Sequence, residues 1–238
     1  MSTSKKIDTK RFFRLTKKVL GDEFQRRGLF PKGSIRWLYQ GTKGLIKGFL
    51  FERTPYGGLY VWWFFVPLFP YEDFLPLTFG NRLFSGSAYP WDMDEVQEML
   101  KSTEKTLERI GALLFEYYPI LESINDIGSF YDEFYRKENL VKKTHIHKSN
   151  SHIRETEIYC KAYLKLPYRN DALDLSKDCV KSAQHESGAK YLLEIADRLE
   201  ELLKYSEGDS VHQYLDEVMC KMIAYHKLSK FVMEPVCA

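Results

Sequence analysis

The sequence predicts an α+β fold: an N-terminal helix, an antiparallel meander of three to four strands, two helices, and then an all-helical C-terminal region. Three observations carry this expectation. Apolar residues recur near the 3.6-residue period over residues 8–27. Alternation at period two, broken by Gly-rich turns, runs over residues 34–67. From residue 152 onward the helical period returns. The organisation that follows is an α+β domain over residues 1–141, a polar linker over 142–151 and a helical region over 152–238.

In the first helix, Phe12, Phe13, Val19, Leu20 and Phe24 form the apolar stripe, and Gly28 follows the last periodic residue as a helix stop. Lys10, Arg11, Arg14, Lys17, Lys18, Arg26 and Arg27 fill much of the remaining surface. Strands are predicted over Ser34–Gln40, Leu45–Arg53 and Leu59–Pro67, separated by the turns Gln40–Gly44 and Thr54–Gly58. A shorter strand is expected near Thr78–Phe84.

The third strand is apolar on both faces. Leu59, Val61, Trp63 and Phe65 alternate with Tyr60, Trp62, Phe64 and Val66, so two coverings are required. The chain's own helices are the expected second covering, with a partner chain, a second copy or a ligand as alternatives. Aromatic rings bury about 150–250 Å² each, so leaving several in water would forgo much of the driving force for folding.

Downstream, Asp92 and Glu95 have the spacing of a capping box, with Trp91 placed to staple on Val96, and the helix is expected to reach about Tyr117. Pro119 suits the first position of the next helix, in which Ile120, Ile124, Ile127, Tyr131 and Phe134 keep helical spacing. C-terminal helices are expected over about 152–166, 171–184, 188–205 and 210–230. Ser210 and Gln213 supply a second capping-box pair, and the first two of these helices read as one hairpin of tetratricopeptide type without a repeat.

At 238 residues, with 44% hydrophobic and 29% charged residues, the chain is neither disordered nor a disulfide scaffold. Its four cysteines, Cys160, Cys179, Cys220 and Cys237, are dispersed and read as reduced thiols of a cytoplasmic protein. The N-terminus lacks the apolar stretch of a signal peptide, and Leu59–Phe69 is far shorter than the about 20 residues that cross a bilayer. The net charge of +2 conceals an asymmetry. Residues 1–53 hold 14 Lys/Arg against 4 Asp/Glu, and residues 54–140 hold 6 against 14. Such a distribution steers charged partners or ties parts of the chain together.

No catalytic signature emerges, and no cofactor or metal site is expected. His145, His147 and His152 are close in sequence, but no cysteine completes a zinc set. Gly28–Ser34 has P-loop-like glycines without the Lys-Ser/Thr that a phosphate requires. A nucleophile elbow is absent.

Layout, together with the segments Ser34–Gln40 and Leu59–Val66, resembles small bacterial cytosolic proteins of unknown function, among them immunity proteins of polymorphic toxin systems. The resemblance implies a non-enzymatic module that binds another protein, in its most concrete form a toxin that it occludes. The candidate binding residues read from the sequence are Glu72, Asp73, Asp132 and Glu133, acids able to mimic phosphate, together with Trp62. A nucleic-acid binder is the first alternative, using Arg11, Arg14, Lys17, Lys18, Arg36 and Lys43 interleaved with aromatics. The second alternative is a metal-dependent enzyme whose site assembles only in the fold. A homo-oligomer formed through the sheet face is also compatible with the pattern, and no membrane partner is expected.

Overall fold

The structure is a computed structural model and describes residues 7–70, 79–90, 92–139, 150–184, 189–205 and 208–233. It is α+β, with an N-terminal helix, a five-stranded antiparallel sheet and a C-terminal helical region. The chain forms two compact units that interleave in sequence. The sheet unit comprises Met1–Gln40, Lys47–Phe65 and Phe79–Ser123. The helical unit comprises Gly41–Ile46, Val66–Thr78 and Ile124–Ala238.

In the sheet unit, helix α1 (Thr9–Arg26) starts at Asp8, whose side chain accepts from the Arg11 N–H at 2.8 Å. It stops at Gly28, which takes the left-handed φ of 77° that a side chain would resist. The strands are β1 (Leu29–Lys32), β2 (Arg36–Tyr39), β4 (Leu45–Arg53), β5 (Gly58–Pro67) and β6 (Phe79–Ser87), in the order β1-β2-β4-β5-β6. Strand β1 is an addition to the expected meander. Pro31 lies in it, which an edge strand tolerates because no inward N–H is required there.

Phe24 of α1 packs on the inner sheet face, 4.9 Å from the Trp37 ring and 5.8 Å from that of Phe49. Helix α2 (Val96–Leu114) lies beside α1, and Leu20 approaches the backbone at Gly111. Helix α3 (Tyr118–Ser123) sets Tyr118 edge-on against Phe49 at 5.7 Å. The expected Asp92–Glu95 capping box does not form. A turn donates the Met93 N–H to the Pro90 carbonyl, and the first helical bond comes later, from Met99 to Glu95. Glu95 is therefore the N-cap, and its side chain makes no capping bond. Trp91, the expected staple, lies outside the described residues.

In the helical unit the loop after β2 is more than a hairpin turn. Its β3 (Thr42–Lys43) pairs in parallel with β7 (Val232–Met233), a short strand that follows the last helix. The helix expected to run from Pro119 through Phe134 is broken. Asp126 adopts an extended backbone and forms a capping box with Ser129, which starts α4 (Ile127–Tyr131). A π-helical turn (Asp132–Arg136) follows, closed by Lys137 N–H to the Asp132 carbonyl at 2.8 Å. Helical spacing survives the break, because Ile124, Ile127, Tyr131 and Phe134 are all buried.

Helices α5 (Ser151–Tyr163) and α6 (Arg169–Ala183) form the expected antiparallel hairpin. Arg154 meets Asp178 at 3.1 Å, and Lys161 meets Asp171 at 2.8 Å. Helix α7 (Ala189–Leu203) packs on both. Its C-terminal carbonyls at Leu203 and Tyr205 receive the Arg169 guanidinium at 2.9 and 2.8 Å, a cation at the negative end of a helix. Helix α8 (Asp209–Tyr225) starts at Gly208, not at a Ser210–Gln213 box. Ser210 already lies inside the helix, and Gln213 donates to Glu217.

The reduced-thiol expectation needs correction. Cys160 and Cys179 are free and buried, but Cys220 is disulfide-bonded; Cys237 lies outside the described residues. No helix among the described residues is long and apolar enough to cross a membrane.

Candidate functional site

Two surfaces of the sheet unit combine chemistry with access. The first is on the outer face of β5 and β6. A register shift between Val61 and Trp62 inserts Leu83 as an extra residue in β6, so Val61 faces Phe84 while Trp62 faces Arg82. The bulge brings the Arg82 guanidinium over two rings at once, 4.4 Å from the Tyr60 centroid and 4.5 Å from that of Trp62. Trp62 donates its indole N–H to Glu52 at 3.3 Å. Arg82 is exposed, and both rings are half-buried.

The sequence required two coverings for β5, and this face has one only along part of the strand. Phe64 and Val66, on the same face as Trp62, are buried. Tyr60 and Trp62 remain accessible beneath Arg82.

The second surface is a groove of about 560 Å³ between α1 and α2, lined by Arg11, Arg14, Leu15, Lys18, Val96, Gln97 and Leu100. Arg14 and Leu15 line the groove together with Val96 and Gln97 near the start of α2, Lys18 meets Glu104 at 2.5 Å, and Leu20 lies near Gly111. The two helices thus run in the same direction. Arg11 is held by Asp8 at 3.4 Å.

The sequence-derived candidates divide between the two units. In the sheet unit, Arg11, Arg14 and Lys18 converge on the groove, while Lys17 is exposed elsewhere on α1. Arg36 is half-buried, and loss of solvent draws its guanidinium below its ordinary pKa. Lys43 belongs to the helical unit, where its backbone donates to the Asn125 carbonyl at 2.8 Å.

Asp132 and Glu133 also lie in the helical unit, and each is answered within one turn. Arg136 bonds Asp132 at 2.9 Å, and Lys137 bonds Glu133 at 2.7 Å. Lys137, then Asn139, hold the Glu133 carboxyl below its usual value. Glu72 and Asp73 lie outside the described residues.

Among the described residues no group of three His, Cys, Asp or Glu side chains could hold a metal. His145 and His147 lie outside them. His152 is buried in α5, with Nδ1 3.6 Å from Glu155. Glu155, fully buried, is bound in two-pronged fashion by Arg198 at 2.7 and 3.0 Å. That geometry ties α5 to α7 and offers no acid or base to a substrate.

Sequence reasoning named Trp62 but missed Arg82, its partner. The signal available was the period-two spacing that puts Tyr60 and Trp62 on one face of β5; the bulge that aims Arg82 at them has no local signature. Comparison with protein-family models, curated proteins and solved structures finds no match to this chain.

Proposed function

We propose that the chain is a non-enzymatic module that docks another protein on the outer face of β5 and β6. The single observation that carries this reading is Arg82 held over Tyr60 and Trp62 on an accessible strand face. Tyr, Trp and Arg are the side chains that dominate binding energy at protein interfaces. An arginine already stacked on two rings loses little further freedom when it meets a carboxylate. The same stacking disfavours nucleic acid at this face, since a base would have to displace Arg82 to reach either ring.

An immunity-type role, with a toxin as the occluded partner, is the concrete form of this proposal. The stacked platform supports it better than the acids do. A phosphate mimic needs uncompensated charge, and Asp132 and Glu133 are neutralised by Arg136 and Lys137. A cytoplasmic site of action belongs to the same proposal, and the Cys220 disulfide weighs against it, because cytosolic thiols are kept reduced.

The test is affinity capture from source cells with the tagged full-length chain, compared with Trp62→Ala/Arg82→Ala and with Asp132→Lys/Glu133→Lys. Each variant is first checked for an unchanged melting temperature. A protein retained by the parent and the second variant but lost by the first supports the platform. If that protein is a second copy of the chain, the face is a dimer interface. A partner set identical in all three removes the reading.

The alternative favoured by a separate observation is nucleic-acid binding, because Arg11, Arg14 and Lys18 share one groove. It requires retention on heparin and affinity that falls steeply with salt.

A further inference from the structure

We propose that the groove between α1 and α2 receives an acidic amphipathic helix of a partner protein, at a surface separate from the Tyr60–Arg82–Trp62 platform. The floor is apolar, made by Leu15 of α1 with Val96 and Leu100 of α2. One wall carries Arg11, Arg14 and Lys18, which recur at helical spacing along α1. At about 1.5 Å of rise per residue, this row extends for about two turns. An opposing helix with carboxylates on one flank matches that repeat, while its leucine-type stripe fills the floor.

The chain already shows the pairing chemistry at both ends of the row. Asp8 sits on Arg11, and Glu104 sits on Lys18. Arg14, between them, makes no ion pair among the described residues. Arg11 and Lys18, 51% and 66% exposed, are already answered by Asp8 and Glu104, so Arg14 is the groove cation that an incoming carboxylate meets without displacing an acid of this chain. A phosphodiester backbone would use the cations and leave Leu15, Val96 and Leu100 uncovered. The apolar floor is therefore what selects protein over nucleic acid.

The experiment uses the full-length chain and three fluorescent probes, read by anisotropy. One is a helical peptide of about five turns with Leu at i, i+3, i+4 and i+7 and Glu between them. Another is the same composition in shuffled order, and the third is a single-stranded oligonucleotide. The patterned peptide binds, and both Arg14→Glu and Leu100→Asp weaken it by about tenfold or more. Circular dichroism confirms that each variant stays folded, and Trp62→Ala leaves the peptide affinity unchanged.

Equal affinity for the two peptides, or indifference to both groove variants, overturns the proposal. Oligonucleotide binding that Arg14→Glu abolishes and Leu100→Asp spares also overturns it, and gives the groove to nucleic acid. A peptide affinity lost in Trp62→Ala would do the same, because it would move the site to the platform.

Discussion

The Lys47 amine, buried in the sheet unit, donates to the backbone carbonyl of Leu121 in α3 and lies over the Tyr39 ring, 4.7 Å from its centroid. Loss of solvent draws its pKa from an ordinary 10.5 to about 8, against the opposing pull of Glu122. Between those two values the unfolded chain carries a proton that the folded chain has shed. Folding stability contributed by this group therefore rises with pH from about 8 to about 10.5. Urea titrations at intervals across that window are expected to show the rise in the parent chain and to lose it in Lys47→Met. An identical slope in both would mean that Lys47 is not the titrating group. Tyr39 and Tyr118, both raised by burial, act in the opposite sense above the usual tyrosine range, so the lower half of the window is the diagnostic part.

In the helical unit the fully buried Glu155 pairs with Arg198, whose side chain is 22% exposed. Removing Arg198 leaves the buried Glu155 charge without its guanidinium, so Arg198→Ala is expected to cost about 3–5 kcal/mol in denaturant titrations. Glu155→Ala is expected to cost less, because Arg198 is 22% exposed and water can solvate it. Replacing both with apolar residues of similar volume recovers most of that loss. An Arg198→Ala cost below about 1 kcal/mol would show that water reaches the site.

Gly48 stands where β4 crosses β2, and a Cβ there would come within 2.0 Å of the Trp37 carbonyl oxygen. Backbone cannot yield as a flexible side chain can. Gly48→Ala is therefore expected to destabilise the fold by more than about 2 kcal/mol, measured as a shift of the urea midpoint. A neutral result would contradict the β2–β4 register that pairs Leu38 with Gly48.

Cys220 is disulfide-bonded, whereas Cys160 and Cys179 are free and buried. Alkylation in denaturant without reductant is expected to label Cys160 and Cys179 and to spare Cys220, which peptide mass mapping reads directly. In the folded chain Cys160 reacts slowly, since burial raises its thiol pKa and hides the sulfur. Labelling of Cys220 before reduction would refute the bond.

Much of the secondary structure was legible because burial imposes a local period. The Phe12–Leu20–Phe24 stripe, the alternation along β5 and the helical spacing after residue 150 each depend only on near neighbours. Helix ends were read less well. Asp92 and Ser210 have capping chemistry, but Pro90 and Gly208 fix the backbone around them and move the first helical bond. Asp126 and Ser129 form the cap that breaks a continuous apolar period, so the period concealed the break.

Of the candidate site, sequence delivered Trp62 and the groove-lining Arg11, Arg14 and Lys18. It ranked Asp132 and Glu133 by their charge, without access to the Arg136 and Lys137 bonds that neutralise it.

By itself the sequence determined which faces of α1 and β5 are apolar, since side-chain order along a helix or strand follows from the backbone repeat. Tertiary structure alone decided that Arg82 caps Tyr60 and Trp62, that Lys47 reaches Leu121, and that Leu15 and Leu100 line one basic-walled groove. Those pairings join residues distant in the chain, and their register is set by a bulge and by helix packing, which no local pattern encodes.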